Sequence, residues 1–291
     1  MANALLTSTN IAKLAANIVG KDLTLGALVF RDLEADFGNG SGKSVTVRVP
    51  GAVASQRRDL FDTTTPLVSD EIAEASIIVE LTDHVYDSVP LSDGTLDLEI
   101  IDFTKQIVEP QARAIVKHVE RAVAAAMSAT PETTLAYAPA TPAKVFTQVR
   151  KTLRDNGVST DSPLIAACGS GVYADLLDGP AGTFDADGKV RGFTVVESNR
   201  LASDEIVGFV KEAFALAVRA PSVPEGAPFG ASLIENGFAL RHIRSYDPTV
   251  AVERSLVSTY LGVKALPLAV DNEDGTISLV ANGGAVRVLT A

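Results

Sequence analysis

With 291 residues the chain can bury a sizeable core, as one large domain or two smaller ones, and its 46% hydrophobic content contains no run near the ~18 apolar residues of a membrane span. Thirty-six acidic side chains against 25 basic ones, a net charge of −11, disfavour a surface that tracks phosphate, because such binding needs clustered Lys and Arg. A container for nucleic acid is still compatible with that charge, since a lining that repels phosphate does not hold a packaged polymer fast.

The single Cys168 excludes an intrachain disulfide and makes a reducing cytoplasm the expected place of synthesis. The opening stretch MANALLTSTNIAKLAANIVG has no basic region followed by a continuous apolar run, so no secretory signal is expected.

In chain order, residues 1–42 read as an arm. An amphipathic pattern runs through Ile11, Leu14, Ala15 and Ile18, and Gly38-Asn39-Gly40-Ser41-Gly42 forms a joint or tight turn. KSVTVRVP then alternates Val45, Val47 and Val49 with polar residues, the period of a half-buried strand. Residues 52–88 read as a long two-stranded excursion whose return strand is SIIVELTDHVYDSV. It carries two arginines, Arg57 and Arg58, against eight acids (Asp59, Asp62, Asp70, Glu71, Glu74, Glu80, Asp83 and Asp87). A projection this acidic either stays solvated or docks on a basic neighbour.

After turn and cap chemistry at Ser92-Asp93-Gly94, a helical pattern spans 97–129, about 50 Å at the usual rise. Ile107, Val108, Ala112, Ile115, Val119, Val123 and Met127 mark its buried face, and Lys105, Arg113, Lys117, Glu120 and Arg121 its polar one. Pro110 removes a hydrogen bond inside this rod and is expected to kink or divide it. A second amphipathic helix covers 143–155. Short strands and one short helix follow, with a small hairpin at 271–291. The coarse class is α+β.

Few residues suggest chemistry. Gly169-Ser170-Gly171-Val172-Tyr173-Ala174 follows an apolar strand and opens a helix, with Glu197 ending the next strand, which is the order of a dinucleotide-binding turn. The helix has room for about two turns before Asp178-Gly179-Pro180, and no repeated βαβ units follow, so a helix cap and turn is the plainer reading. Cys168 or Ser170 as a nucleophile would need one of His84, His118 or His242, none of which sequence brings to the turn. Asp185-Ala186-Asp187-Gly188 and Asp271-Asn272-Glu273-Asp274-Gly275 lack the full spacing of a calcium loop, and no His or Cys pair has zinc spacing. Neither a catalytic site nor a cofactor is expected.

The order of arm, strand, acidic loop, long helix and mixed domain resembles the major capsid proteins of tailed phages with the Hong Kong 97-type fold. It is most similar to actinobacteriophage coat proteins allied to the gene-five coat of the Salmonella short-tailed phages. The stretches that carry the resemblance are IDFTKQIVEPQARAIVKHVERAVAAAM, SPLIAACGSGVYADLLD and GASLIENGFALRHIRSYDPTVAVERSLVSTYLGVKAL.

The resemblance implies an N-terminal arm (1–42), a peripheral-domain strand (43–51), an extended loop (52–88) and a peripheral domain (89–159) whose spine helix is 97–129. It further implies an axial domain (160–235), a peripheral strand (236–250), an axial return (251–267) and a C-terminal hairpin (268–291). The implied function is a virion coat, hexamers and pentamers of an icosahedral shell around double-stranded DNA. Such a shell is assembled in the host bacterial cytoplasm with a separate scaffolding protein and a portal protein, without a membrane. An encapsulin-type compartment is the alternative with the same fold, and a nucleotide-binding enzyme using the Gly169-Ser170-Gly171 turn the alternative of another class.

On the shell reading Arg57, Arg58, Asp59 and Phe61 meet a neighbouring subunit, with Lys105, Arg113, Lys117 and Arg121 as candidate contacts and Pro110 as the bend of the spine. Some relatives crosslink through a lysine of the extended loop. No lysine lies between Lys43 and Lys105, so no such crosslink is expected.

Overall fold

The computed structural model describes residues 8–31, 42–49, 53, 55–57, 59–67, 69, 72, 74–98, 102–227, 229–235, 237–272 and 276–290. The amphipathic pattern of the arm becomes helix α1 (Ser8–Asp22). Its Ile11, Ala12, Ala15, Ala16 and Val19 recur at helical spacing and are all buried, so α1 is docked along its length rather than free. It lies across β8 (Phe229–Glu235) and β9 (Phe238–Asp247) and against the long helix α4 (Glu109–Ser128). A single turn, α2 (Leu25–Leu28), follows it.

The valine alternation forms β1 (Ser44–Val49), antiparallel to β2 (Ala75–Glu80), with Val45 opposite Val79 and Val47 opposite Ile77. SIIVELTDHVYDSV is not one strand. It breaks at Leu81-Thr82, and β3 (Asp83–Ser92) passes into a different sheet, paired along β10 (Val252–Ala265). The backbone changes partners at the break: the Leu81 N–H donates to the Lys43 carbonyl at 2.7 Å and the Thr82 N–H to the Leu261 carbonyl at 2.9 Å. Gly262 permits the crossing, because a Cβ there would stand 2.0 Å from the Glu80 carbonyl oxygen.

The main sheet is antiparallel and five-stranded, in the order β3, β10, β9, β8. At its 14 residues β10 is long enough to serve β9 with its first half and β7 (Phe214–Arg219) with its second. Short helix α3 (Asp93–Leu98) follows β3. Residues 99–101 of the expected rod lie outside the described residues, and helix resumes at 103 and runs to 128.

Just before Pro110 lies a π-helical turn, Thr104–Val108, where the Glu109 N–H reaches back to the Thr104 carbonyl. A proline ring has no donor and crowds the carbonyl four residues earlier. The wider turn accommodates both defects without ending the helix.

A second sheet of four strands has the order β13, β6, β4, β5. Here β4 (Leu164–Cys168) runs parallel to β5 (Phe193–Glu197) and antiparallel to β6 (Glu205–Phe209), and helix α5 (Ala143–Asp155) covers β6 and β13 (Ala285–Leu289). The eight-residue α6 (Ser170–Leu177) leaves β4 at the glycine turn. The chain end is not one hairpin. β11 (Leu268–Asp271) and β12 (Ile277–Val280) pair with each other, but β13 departs to the edge of β6, where Val286 and Val288 are buried. Burial of those two valines outweighs the local turn geometry that favours a hairpin.

Candidate functional site

Of the loop residues expected at a subunit contact, Arg57, Asp59 and Phe61 are exposed and Arg58 lies outside the described residues. The segment around them is folded by its own side chains. The Asp59 carboxylate accepts the Phe61 N–H at 2.9 Å, and the Asp62 carboxylate accepts the Thr64 N–H at 2.8 Å, the Thr64 hydroxyl at 2.9 Å and the Thr65 N–H at 3.1 Å. Hydrogen bonds from Thr65 and Thr64 hold the Asp62 carboxyl well below the usual carboxylate range. Between the two turns Leu60 and Phe61 stand 87% and 86% exposed. They are the most exposed large apolar side chains among the described residues.

The cations of the long helix divide into two kinds. Lys105 sits 3.6 Å from Asp102, and Arg113 is 3.9 Å from both Asp22 and Glu109, in pairs whose cations are exposed and which contribute little. Lys117 and Arg121 are exposed and have no ionic partner among the described residues. The loop acids and these two cations are not brought together within one subunit by any described contact.

Glu120, expected on the polar face, is instead buried at 5% exposure. Its carboxylate accepts the N–H groups of Thr24 at 2.9 Å, Leu25 at 3.0 Å and Gly26 at 3.0 Å, and the Thr24 hydroxyl at 2.7 Å. It caps α2 from another helix, satisfying donors that a helix start leaves orphaned. The signal was present in the spacing, because Val116, Glu120 and Ala124 share one stripe. Gln111 is buried likewise, donating to the Ser255 carbonyl at 3.0 Å and accepting the Ser255 hydroxyl at 2.9 Å, while that hydroxyl also meets His242 Nε2 at 3.1 Å.

At the other end of α4, Glu205 holds Arg287 at 2.6 Å and accepts the Ser128 hydroxyl at 3.0 Å. Nothing in the sequence pairs residues this far apart.

The glycine turn is filled by protein. A Cβ on Gly169 would lie 1.8 Å from the Ala202 carbonyl oxygen, and the Val172 N–H, near the start of α6, already donates to the Ser203 carbonyl at 3.1 Å. The glycines here serve close packing of two backbone segments. Burial pushes the Cys168 thiol up and leaves it a poor nucleophile. Among the histidines, His242 is buried, His118 is exposed on α4, and His84 is exposed beside Tyr86 and Tyr260 at ring distances of 5.6 and 5.1 Å. Among the described residues no group of three or more His, Cys, Asp or Glu is placed to hold a metal ion, and no helix is long and apolar enough to cross a membrane.

A docked helix, a long helix against an antiparallel sheet, a β1–β2 pair packed on that sheet and joined by a long segment without described strands, and a second sheet built on β4 to β6 define a class. It is the Hong Kong 97-type fold, and the structural neighbours include chains of the cyanophage P-SCSP1u capsid and of the mature capsid of bacteriophage PhiM1. No protein-family model matches the sequence, and no curated protein matches it significantly.

A solved chain from Mycobacterium phage Che8 has a TM-score of 0.59 at 16% identity, covering 91% of this chain and 90% of that one. The capsid of cyanophage P-SCSP1u gives 0.56 at 15%, over 86% and 84%. A virus-like particle from Pyrococcus furiosus gives 0.53 at 12%, over 94% and 95%. Identities this low establish a common fold.

Proposed function

We propose that the chain is a tailed-phage major capsid protein that self-assembles as hexamers and pentamers into an icosahedral shell around double-stranded DNA. The observation that carries the reading is the near full-length match, over 91% of this chain and 90% of the partner, to a chain from a phage. A loop tip that leaves two large apolar side chains open is what a subunit completed by its neighbours would present. In this reading Arg57, Arg58, Asp59 and Phe61 face one neighbouring subunit, and Lys105, Arg113, Lys117 and Arg121 line a helix face offered to another. Pro110 and the turn before it set the bend of the spine. A separate scaffolding protein and a portal protein act in assembly, in the host cytoplasm.

Individual contacts can be weak, because a closed lattice makes every subunit multivalent. The subunit needs no catalytic residues for this role. Electron microscopy of the purified chain, alone and with the candidate scaffolding protein, tests the proposal. Closed shells or capsomers are expected, and a chain that stays monomeric throughout would sink it. The Pyrococcus furiosus likeness supports a second reading, a compartment shell without a genome. Nuclease-protected DNA in the native particles distinguishes the two.

A further inference from the structure

Val47 and Val49 of β1 and Ile77 of β2 form one wall of a cleft of about 520 Å³, and Val158 after α5, Val210 after β6 and Leu268 of β11 form the other. The two walls belong to different apolar cores. The β1–β2 side chains pack with Val79, Ala215 and Leu266, whereas Val158, Val210 and Leu268 pack with the large core that includes α4 and α5. The cleft is the line along which these cores part, so apolar groups face one another there across open space.

A volume within ~300–1,000 Å³ between mostly apolar walls is the form of a small-molecule site. Its charge has one sign. Glu212 and Asp271 stand on the lining, exposed and with no ionic partner among the described residues, and no Lys, Arg or His is among the described lining residues. An anionic guest would meet two like charges. A bare metal ion is not the match either, because no group of three or more His, Cys, Asp or Glu is placed to hold one among the described residues.

We propose that the cleft binds a small amphiphilic cation, an apolar chain or ring bearing one ammonium group, with the apolar part between the two walls and the ammonium beside Glu212 and Asp271. Such a guest fills the gap between the two cores and ties the β1–β2 pair to the body of the subunit. The site is independent of the shell reading, since a single chain carries both walls.

The walls set the affinity and the carboxylates set the preference. Each methylene moved from water into an apolar site tightens binding roughly threefold to fourfold. Exposed carboxylates are screened by water and salt, so they contribute less than the chain does but still separate a cation from an anion of equal length.

Calorimetric titration of the full-length free chain with hexylammonium, octylammonium and octanoate tests the proposal. One octylammonium per chain is expected, about tenfold tighter than hexylammonium and about tenfold tighter than octanoate. The preference over octanoate should fall toward parity in Glu212→Gln/Asp271→Asn. Val49→Phe and, separately, Ala269→Leu on the same lining should each fill the cleft and abolish binding while circular dichroism stays native. Octylammonium should also raise the thermal midpoint of the unaltered chain, as a ligand of the native state alone does. No saturable binding to the unaltered chain, no gain with chain length, or equal affinity for octanoate overturns the proposal, as does binding that persists in a folded filled variant. Binding that weakens as the chain concentration rises would show a second copy taking the cleft and overturns it as well.

Discussion

Glu120 shows how one side chain can join segments far apart in the chain. Replacing it with Ala would strip the acceptor from three backbone N–H groups and a hydroxyl at the start of α2. An orphaned buried donor costs about 1–3 kcal/mol, so Glu120→Ala should lower the unfolding free energy of the free subunit by roughly 3 kcal/mol or more, with Glu120→Gln intermediate. Urea denaturation of unassembled protein measures this. A loss under about 0.5 kcal/mol, the size of an ordinary surface change, would remove the clamp from the account.

His242 makes a second residue-scale expectation. Burial, helped by the Arg244 charge, lowers its pKa to about 4. Between that value and the ordinary ~6.5 of an unfolded histidine, the unfolded chain binds more protons than the native one. Stability therefore rises with pH across this window and is lost as pH falls from ~6.5 through about 4. Thermal unfolding of the free subunit at successive pH values should show that slope, and His242→Gln should flatten it. An unchanged slope in the variant would assign the acid sensitivity to other groups.

Among the elements, the break between β2 and β3 and the turn before Pro110 matter most. Gly262→Ala would drive a Cβ into the Glu80 backbone at 2.0 Å, where no flexible side chain can yield. Loss of soluble, cooperatively folding protein by circular dichroism is expected. A variant with native-like melting would show that the crossing strand shifts freely.

Pro110→Ala restores a donor and removes the crowding that the π-helical turn accommodates. We expect regular α-helical bonding through this segment and a changed particle diameter by electron microscopy. An unchanged diameter would count against the bend as a determinant of curvature.

For the whole molecule, the segment between β1 and β2 and the body of the subunit separate cleanly only if the division is made at β2. Ile77, Val79 and Val85 are buried, so a deletion taken through 53–87 would cut into both sheets. Removing 53–74 spares these strands, and its described residues are almost all exposed. That deletion should leave a soluble subunit with native circular dichroism that no longer closes shells. Loss of folding would mean that the loop belongs to the core.

Much of this was legible in the chain itself. Period-two valines gave away β1, helical spacing marked the apolar stripes of α1, α4 and α5, and the element order carried the fold class. Those signals are local, and a residue's own neighbours suffice to generate them. The sequence by itself therefore determined the apolar stripes of these helices and of β1 and the broad run of helix and strand, but not the break between β2 and β3 or the burial of Glu120.

Only the tertiary structure decided the partners: that β2 and β3 belong to different sheets, that β13 leaves its hairpin for β6, and that Glu120 and Glu205 are buried clamps. Each depends on a contact between residues far apart in sequence, where backbone donors and carboxylates are satisfied across elements. No periodicity along the chain encodes such a contact.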